Sequence, residues 1–363
     1  VFDCHRRRSN GKDSAILPIP ASRVNPKKRP PIGAKIPFER RYPIGKIGLT
    51  EGFGGAPSSV RKNKSGVLQG VVGNESYQGE VMDPFVSIIV PIKNEEERIS
   101  TLLDALVSVD YPRDRYEIIV ADNGSTDRTV ELARTIPGVL VCVEPKGGSY
   151  AARNAGLRAA RGEVIAFTDG DCTPAVGWLR AGVSRVTAGA DLVAGAIRFE
   201  LSKPSIDHRF DQKFFLQQER WVAEKKAGAT ANLFVHRRVI EQVGGFSEAL
   251  TSGGDFAFCK AATDAGFSLV FEPSAVVGHP TRGLGALLRK AKRIGGGKIE
   301  RLRHTSSTSK EVMPKSRQLT QLLADEPFGV KVGFLAIYAI VCIAGVYGAL
   351  AYLARTQRSS SYA

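Results

Sequence analysis

The sequence predicts an α/β protein: a doubly wound, mainly parallel sheet, a mixed second half, and one C-terminal transmembrane helix. Three observations predict it. Apolar runs of strand length alternate with helical patterns from Phe85 to Thr168. Two of those runs end in carboxylates, Asp122 and the pair Asp169/Asp171. Far downstream, Val332 to Ala354 passes 23 residues without a charge.

Taken in order, residues 1–83 hold 15 Lys/Arg against 7 Asp/Glu with no sustained period. Asn25-Pro26-Lys27-Lys28-Arg29-Pro30-Pro31 opposes helix and compact folding alike, so this stretch reads as a disordered basic arm. It shows no apolar secretory core. Order is expected from Phe85 to Pro91, a near-continuous apolar strand of the kind buried on both faces of a parallel sheet. Acids at Glu95–Glu97 then suit a first helical turn, and Ile99, Leu102, Leu103 and Leu106 follow at helical spacing.

Tyr116 to Asp122 is a second strand, closed by Asn123-Gly124-Ser125-Thr126-Asp127. Ser125 or Thr126 is placed to cap the helix carrying Val130 and Leu132. Val139 to Val143 is a third strand, Gly147-Gly148-Ser149 opens a helix from Tyr150 to Ala160, and Val164 to Thr168 is a fourth strand. Such alternation defines the doubly wound class, in which ligands bind beyond the carboxyl ends of the strands. Asp122, Asp169 and Asp171 stand at those ends. Gly170 lets the two flanking acids face one ligand, and close carboxylates are stabilised by a hard divalent cation, the usual companion of substrate phosphates.

The second half reads as a strand from Ala190 to Phe199 and a helix from Asp211 to Lys226 carrying Phe214, Phe215 and Trp221. A strand at Thr230–Val235 and a turn at Val243–Phe246 follow. Asp255 then precedes the helical pattern Phe256, Phe258, Ala261, Ala262, and short strands at Leu269–Glu272 and Ala275–Val277 end at Gly278-His279-Pro280. Residues 282–317 hold 11 Lys/Arg against 2 Asp/Glu. The domain boundaries expected are an ordered domain at 84–305, a linker at 306–330, a transmembrane helix at 331–355 and a short tail at 356–363. The apolar stretch is long enough to span a bilayer, and the basic segment before it favours a cytoplasmic position for the main domain.

The formal net charge of +15 admits nucleic acid, anionic lipid or anionic substrates as partners. The excess lies in the flanks and lacks aromatic interleaving, so no specific nucleic acid is expected. Five scattered cysteines without a C-x-x-C pair suit a reducing compartment and argue against structural zinc. A nucleotidyltransferase would share the sheet and the cation, but Pro91-Ile92-Lys93-Asn94 is not the Gly-rich phosphate loop it needs. A non-catalytic nucleic-acid-binding or membrane-scaffolding protein is the remaining rival, suggested by the charge.

Val90-Pro91-Ile92-Lys93-Asn94-Glu95, Asp122 to Asp127, Ala152-Arg153-Asn154-Ala155-Gly156, Asp169-Gly170-Asp171, Gly244-Gly245-Phe246 and Gly253-Gly254-Asp255 occur in that order. This ordered set resembles the family 2 glycosyltransferases of the GT-A fold, over roughly residues 85 to 300. The resemblance implies inverting transfer of a sugar from a nucleotide-sugar donor, helped by Mg or Mn; the apolar C-terminal segment, which would hold the site near a bilayer, points to a glycan or lipid-linked acceptor. The resemblance places Pro91 and Asn94 beside the nucleotide, Asp122 on base or ribose, Asp169 on ribose or donor sugar, and Asp171 on the metal. Arg153 would orient Asp169 or approach phosphate, and His279 would complete the metal site. The family's acidic pair near a second-half helix start is reduced here: Gly254 stands for the usual Glu and Ala257 for the later acid. Asp255 is thus the one candidate base in that segment. The basic helix from Leu287 to Arg293 is placed to reach a diphosphate or a lipid phosphate. Gln218-Glu219-Arg220-Trp221 resembles the Gln-x-x-Arg-Trp of processive members only superficially, so non-processive transfer is expected.

Overall fold

The computed structural model describes residues 83–200, 205–304 and 316–360. The expected basic arm, apart from Asp83, lies outside the described residues, as do the last residue of the expected ordered domain (305), residues 306–315 of the expected linker and 361–363 of the tail.

The first half alternates as expected: β1 (Val86–Ile92), α1 (Ile99–Val107), β2 (Tyr116–Asp122), α2 (Thr129–Thr135), β3 (Val139–Val143), α3 (Ser149–Ala159) and β4 (Val164–Thr168). β1, β2 and β4 are buried along their whole length, which is why they read as unbroken apolar runs instead of alternating ones. The second half adds β5 (Thr173–Pro174), α4 (Trp178–Thr187), β6 (Leu192–Glu200), α5 (Ile206–Phe214), α6 (Gln218–Lys225), β7 (Asn232–His236), α7 (Arg237–Val243), α8 (Gly254–Asp264) and β8 (Leu269–Pro280). Three helices follow: α9 (Leu284–His304), α10 (Ser316–Leu323) and α11 (Phe328–Ser360).

All eight strands form one sheet in the order β3-β2-β1-β4-β7-β6-β8-β5. β1 pairs in parallel with β2 and β4, and β2 with β3, whereas β7 runs antiparallel to both β4 and β6. The sheet is therefore parallel from β3 to β4 and mixed beyond β4. One face packs on α1 and α4 through Leu102, Leu103, Trp178 and Val183, the other on α3, α7 and α8 through Tyr150, Val239 and Phe258. Each fully buried Ile or Leu contributes about 1.5–3 kcal/mol of transfer free energy.

Two local expectations are corrected. The helix expected over 211–226 is broken into α5 and α6, with Leu216 at φ +49° between them. Phe214 and Trp221, seven positions apart, would share one face of a continuous helix. Instead Phe214 packs on Phe210 and Phe334, while Trp221 packs on Phe256, and the break sends them apart. The two short strands expected at 269–277 are one strand, β8. Its register against β6 jumps from Gly195↔Glu272 to Ala196↔Val276, so Pro273, Ser274 and Ala275 bulge out of the ladder.

Buried Asn232 holds that bulge. Its amide donates to the carbonyls of Ala196 and Ala275 at 2.8 Å each, and its Oδ1 accepts the Trp178 Nε1–H at 2.8 Å. Asn232→Ala leaves a buried indole donor and two carbonyls unpaired and is expected to cost about 3 kcal/mol or more. Urea unfolding followed by Trp fluorescence measures it; a midpoint unchanged from wild type would refute the role.

α11 lies along α9 and α5. Phe334, Ile337, Val341 and Ala344 are buried in a cluster with Phe210, Phe214 and Leu287. At Gly295 and Gly345 the two helix backbones meet so closely that a Cβ on Gly295 would overlap the Gly345 carbonyl. The opposite side of α11 exposes Val332, Leu335, Ile340, Ile343, Val346 and Leu350.

Candidate functional site

The predicted site residues gather at the carboxyl ends of β1, β2 and β4. Pro91 is buried near the end of β1, and Asn94, exposed with φ +55°, ties the β1 loop to the β2 loop. The Asn94 N–H donates to Ser125 Oγ at 2.9 Å, and its Oδ1 accepts the Thr126 N–H at 2.8 Å. Asp122 is only 2 % exposed, and its carboxylate accepts the N–H groups of Gly124 and Ser125. It shapes the Asn123–Asp127 loop from within. Asn123 fixes the neighbouring loop by donating to the carbonyl of Lys146 at 2.7 Å and accepting the Gly148 N–H at 2.7 Å.

Arg153, on α3 and 4 % exposed, pairs with Asp169 at the end of β4. The Arg153 Nε is buried without a protein hydrogen-bond partner, as is the hydroxyl of Thr168 beside Asp169. Gly170 sits in tight quarters: a Cβ there would meet Ile92 Cγ2 at 3.1 Å and Glu95 Cγ at 3.3 Å.

Asp255 stands in the first turn of α8, where the cap position belongs to Gly253 at φ +73°. Tyr150 of α3 completes the end of that helix. Its hydroxyl accepts the Gly254 N–H at 2.8 Å and lies 3.5 Å from Asp255 Oδ1. Burial pushes the Asp255 carboxyl above its ordinary value against the pull of Arg153, and Asp169 raises it further. A carboxyl so placed is a stronger base than a solvated one. The missing acid at 254 has a steric reason: a Cβ on Gly254 would sit 2.7–2.9 Å from the Tyr150 ring carbons.

Asp171 meets His279 from β8, with Oδ2 3.6 Å from Nε2. The ligand atoms of Asp171, Cys172 and His279 lie within 4.8 Å of one another. His279 Nδ1 donates to the Pro280 carbonyl at 2.7 Å, which leaves Nε2 as the bare nitrogen a cation needs. The Arg282 guanidinium approaches that same lone pair at 2.6 Å while also paired with fully buried Asp211. Burial, then the two neighbouring aspartates, pushes the Cys172 thiol well above its usual range, and a thiolate is in any case a soft ligand unsuited to Mg or Mn. One carboxylate and one neutral imidazole make a donor pair that fits Mg or Mn, the imidazole favouring Mn. Burial and Asp171 raise the Glu95 carboxyl.

The structure thus unites Arg153, Asp169 and Asp255 in one cluster and Asp171 with His279 in another, joined through Gly170. Sequence reasoning gave no role to Tyr150 or Arg282, and named Glu95 only in a first helical turn and as the end of the Val90–Glu95 motif, and Lys290 only within the basic helix from Leu287 to Arg293. Tyr150 was unremarkable as part of a helical pattern, and only tertiary packing brings it to the acids. Within the basic run of α9, Lys290 reaches over the Phe215 ring at 4.6 Å, whereas Lys292 turns to Tyr347 of α11. Burial and Arg282 push the Lys290 amine down to about 7. The reading of Gln218–Trp221 also overlooked Gln217, with which the five residues do spell Gln-x-x-Arg-Trp. Here the Gln217 amide donates to the carbonyls of Gln212 and Phe215, closing the break between α5 and α6.

Tyr150→Phe keeps the ring but removes the hydroxyl that holds Gly254 and Asp255. It is expected to lower kcat about tenfold with little change in donor affinity. Steady-state kinetics test this, and an unchanged kcat would refute it.

Residues 87–244 match the model of the family described as Glycosyl transferase family 2. Glycosyltransferase AglE of Haloferax volcanii is 41 % identical over 224 residues, 60 % of this chain and 74 % of that protein. A beta-monoglucosyldiacylglycerol synthase of Nostoc sp. is 31 % identical over 205 residues, and this chain spans 42 % of its length and 50 % of its own. Among solved structures, the mannosyltransferase PcManGT of Pyrobaculum calidifontis, in complex with GDP-Man and Mn2+, shares the fold with a TM-score of 0.50 and 23 % identity. That match covers 78 % of this chain and 82 % of the other.

Proposed function

The chain belongs to glycosyl transferase family 2, and from that premise we propose that it transfers a sugar from a nucleotide-sugar donor to an acceptor hydroxyl with inversion, assisted by Mg or Mn. The observation that carries this reading is the convergence of Asp169, Asp171 and Asp255 around Arg153 and Gly170. The loops after β1 and β2, stitched by Asn94, Asp122 and Asn123, form the wall against which a nucleotide is held. Asp169, oriented by Arg153, faces the ribose or donor sugar. Asp171 and His279 would hold the cation, whose chemistry is to neutralise charge on a departing nucleoside diphosphate. Lys290 and Arg282 add positive charge on the same side.

Inversion needs a base on the face opposite the leaving group, and Asp255 takes the acceptor proton there. Tyr150 holds the first turn of α8 so that this carboxylate keeps its position. The acceptor is a glycan or lipid-linked hydroxyl, each transfer being followed by release.

Membrane contact falls to α11, whose exposed apolar side faces away from α5 and α9. Its length suits a single pass, and the basic residues before it favour a cytoplasmic position for the catalytic domain. The protein's division into a catalytic domain ending near residue 305, a linker and this anchor belongs to the same proposal. Val346→Glu with Leu350→Glu puts charge on the outward side and is expected to release the chain from anionic vesicles in flotation while the helical circular dichroism stays unchanged. Continued co-flotation of the variant would overturn the assignment.

The donor reading is tested by calorimetry, titrating UDP, GDP and TDP with and without Mn. One nucleotide binding in an Mn-dependent way is expected; no binding of any of them to folded protein would overturn the proposal.

A further inference from the structure

A cleft of about 570 Å³ runs between β6 and the α5–α6 break, and none of the site residues described above lines it. It nevertheless adjoins them on both sides. Phe199 lines it, and the Phe199 ring lies 5.6 Å from the His279 ring. α6 lines it too and continues into Trp221, whose ring lies 5.0 Å from that of Phe256, the neighbour of Asp255.

Two guanidinium groups stand in its wall, Arg198 on β6 and Arg220 on α6. Neither belongs to an ion pair among the described residues. The Arg220 Nε is fully buried and makes no hydrogen bond to the protein. Buried donors are almost always paired, and a buried guanidinium nitrogen is among the more costly to leave alone. The left-handed backbone of Leu216, in the same wall, is a further departure of the sort that gathers at ligand sites. Phe199 and Phe271 supply apolar faces, and Glu219, a carboxylate on the same rim, suits sugar hydroxyls and not a second anion. Arginine forks recognise planar or tetrahedral oxyanions.

We propose that this cleft is an acceptor subsite for an acidic glycan residue, one whose carboxylate or phosphate is bound by Arg220 and Arg198. The proposal rests on the glycosyltransferase reading and adds to it the charge class of the acceptor. The carboxylate of a uronic acid and the phosphate of a sugar phosphate share the chemistry that the two arginines read.

The test uses the full chain in detergent and three probes: p-nitrophenyl β-D-glucuronide, p-nitrophenyl 6-phospho-β-D-glucoside and neutral p-nitrophenyl β-D-glucoside. Saturation-transfer NMR and calorimetry give the affinities. At least one acidic probe is expected to bind about tenfold or more tightly than the neutral one. That advantage should vanish in Arg220→Gln and shrink in Arg198→Gln. Which acidic probe wins identifies the source of the anion. Equal affinities for all three, binding of none, or an advantage that survives both substitutions would overturn the proposal. Should Arg220→Gln fail to fold, the surface substitution Arg198→Gln decides alone. Mn-dependent nucleotide binding, measured on the same samples, tests the donor reading separately: its loss in wild type would sink that reading, and its retention in both variants shows that the cleft acts apart from the donor site.

Discussion

Replacing Asp255 with Asn is expected to lower kcat by about 10³-fold while leaving nucleotide affinity within about twofold. The substitution is nearly isosteric, so Tyr150 and the Gly254 N–H keep their contact, and only the proton acceptor is lost. A pH profile separates this from a structural effect. Burial raises the Asp255 carboxyl, so in the wild type the active, ionised form is lost as pH falls through a value above the ordinary carboxylate range. The acid limb of kcat should therefore begin higher than a solvated aspartate allows. The same raised pKa carries a stability consequence of opposite sense. A carboxyl that the fold prefers protonated contributes its stability below the unfolded-state pKa, and that contribution is lost as pH rises through the folded value. At neutral pH the ionised Asp255 is a burden, so the Asn variant should melt higher than wild type. A variant that is both inactive and less stable at pH 7 would contradict this account.

The second large effect is expected from Asp171→Ala. Removing one of two strong ligands should abolish the Mn-dependent increment in nucleotide affinity and lower kcat/KM by about 10³-fold. His279→Ala should act in the same direction, because His279 Nδ1 is committed to Pro280 and Nε2, which Arg282 also approaches, carries the lone pair a cation would take. Calorimetry with and without Mn reads this without reference to turnover. Undiminished Mn dependence in Asp171→Ala would remove Asp171 from the metal site. A surviving Mn effect in His279→Ala alone would leave Asp171 as the donor and Arg282 as the true partner of the imidazole.

Much of the parallel half was legible because its physics is local. β1, β2 and β4 are buried on both sides and so carry uninterrupted apolar runs, and acids stand at the end of β2 and just beyond the end of β4. Asp122, Asp169 and Asp171 could be placed from that alone. α4 was legible too, although the reading passed over it. Trp178, Leu179, Gly182, Val183 and Val186 are its buried residues and follow helical spacing. Other features were not local. The break at Leu216 exists because Phe214 and Trp221 have partners on different elements, and the bulge in β8 exists because Asn232 reaches it from β7. Arg282 next to His279 depends on Asp211, seventy-one positions earlier, holding the guanidinium in place. No window of sequence contains both halves of such an arrangement.

The packing of Tyr150 against Gly254 ties two positions 104 residues apart. Their histories cannot be independent. A glutamate introduced at 254 alone would drive its Cβ into an aromatic ring, and a smaller residue at 150 alone would open a void and release the Gly254 N–H. Each single step passes through a damaged protein, while the pair exchanged together gives a sound one. Descent should thus show the two sites switching jointly, aromatic with glycine and small with acidic, so that the character of residue 150 foretells whether an enzyme of this lineage keeps one carboxylate at the helix start or two.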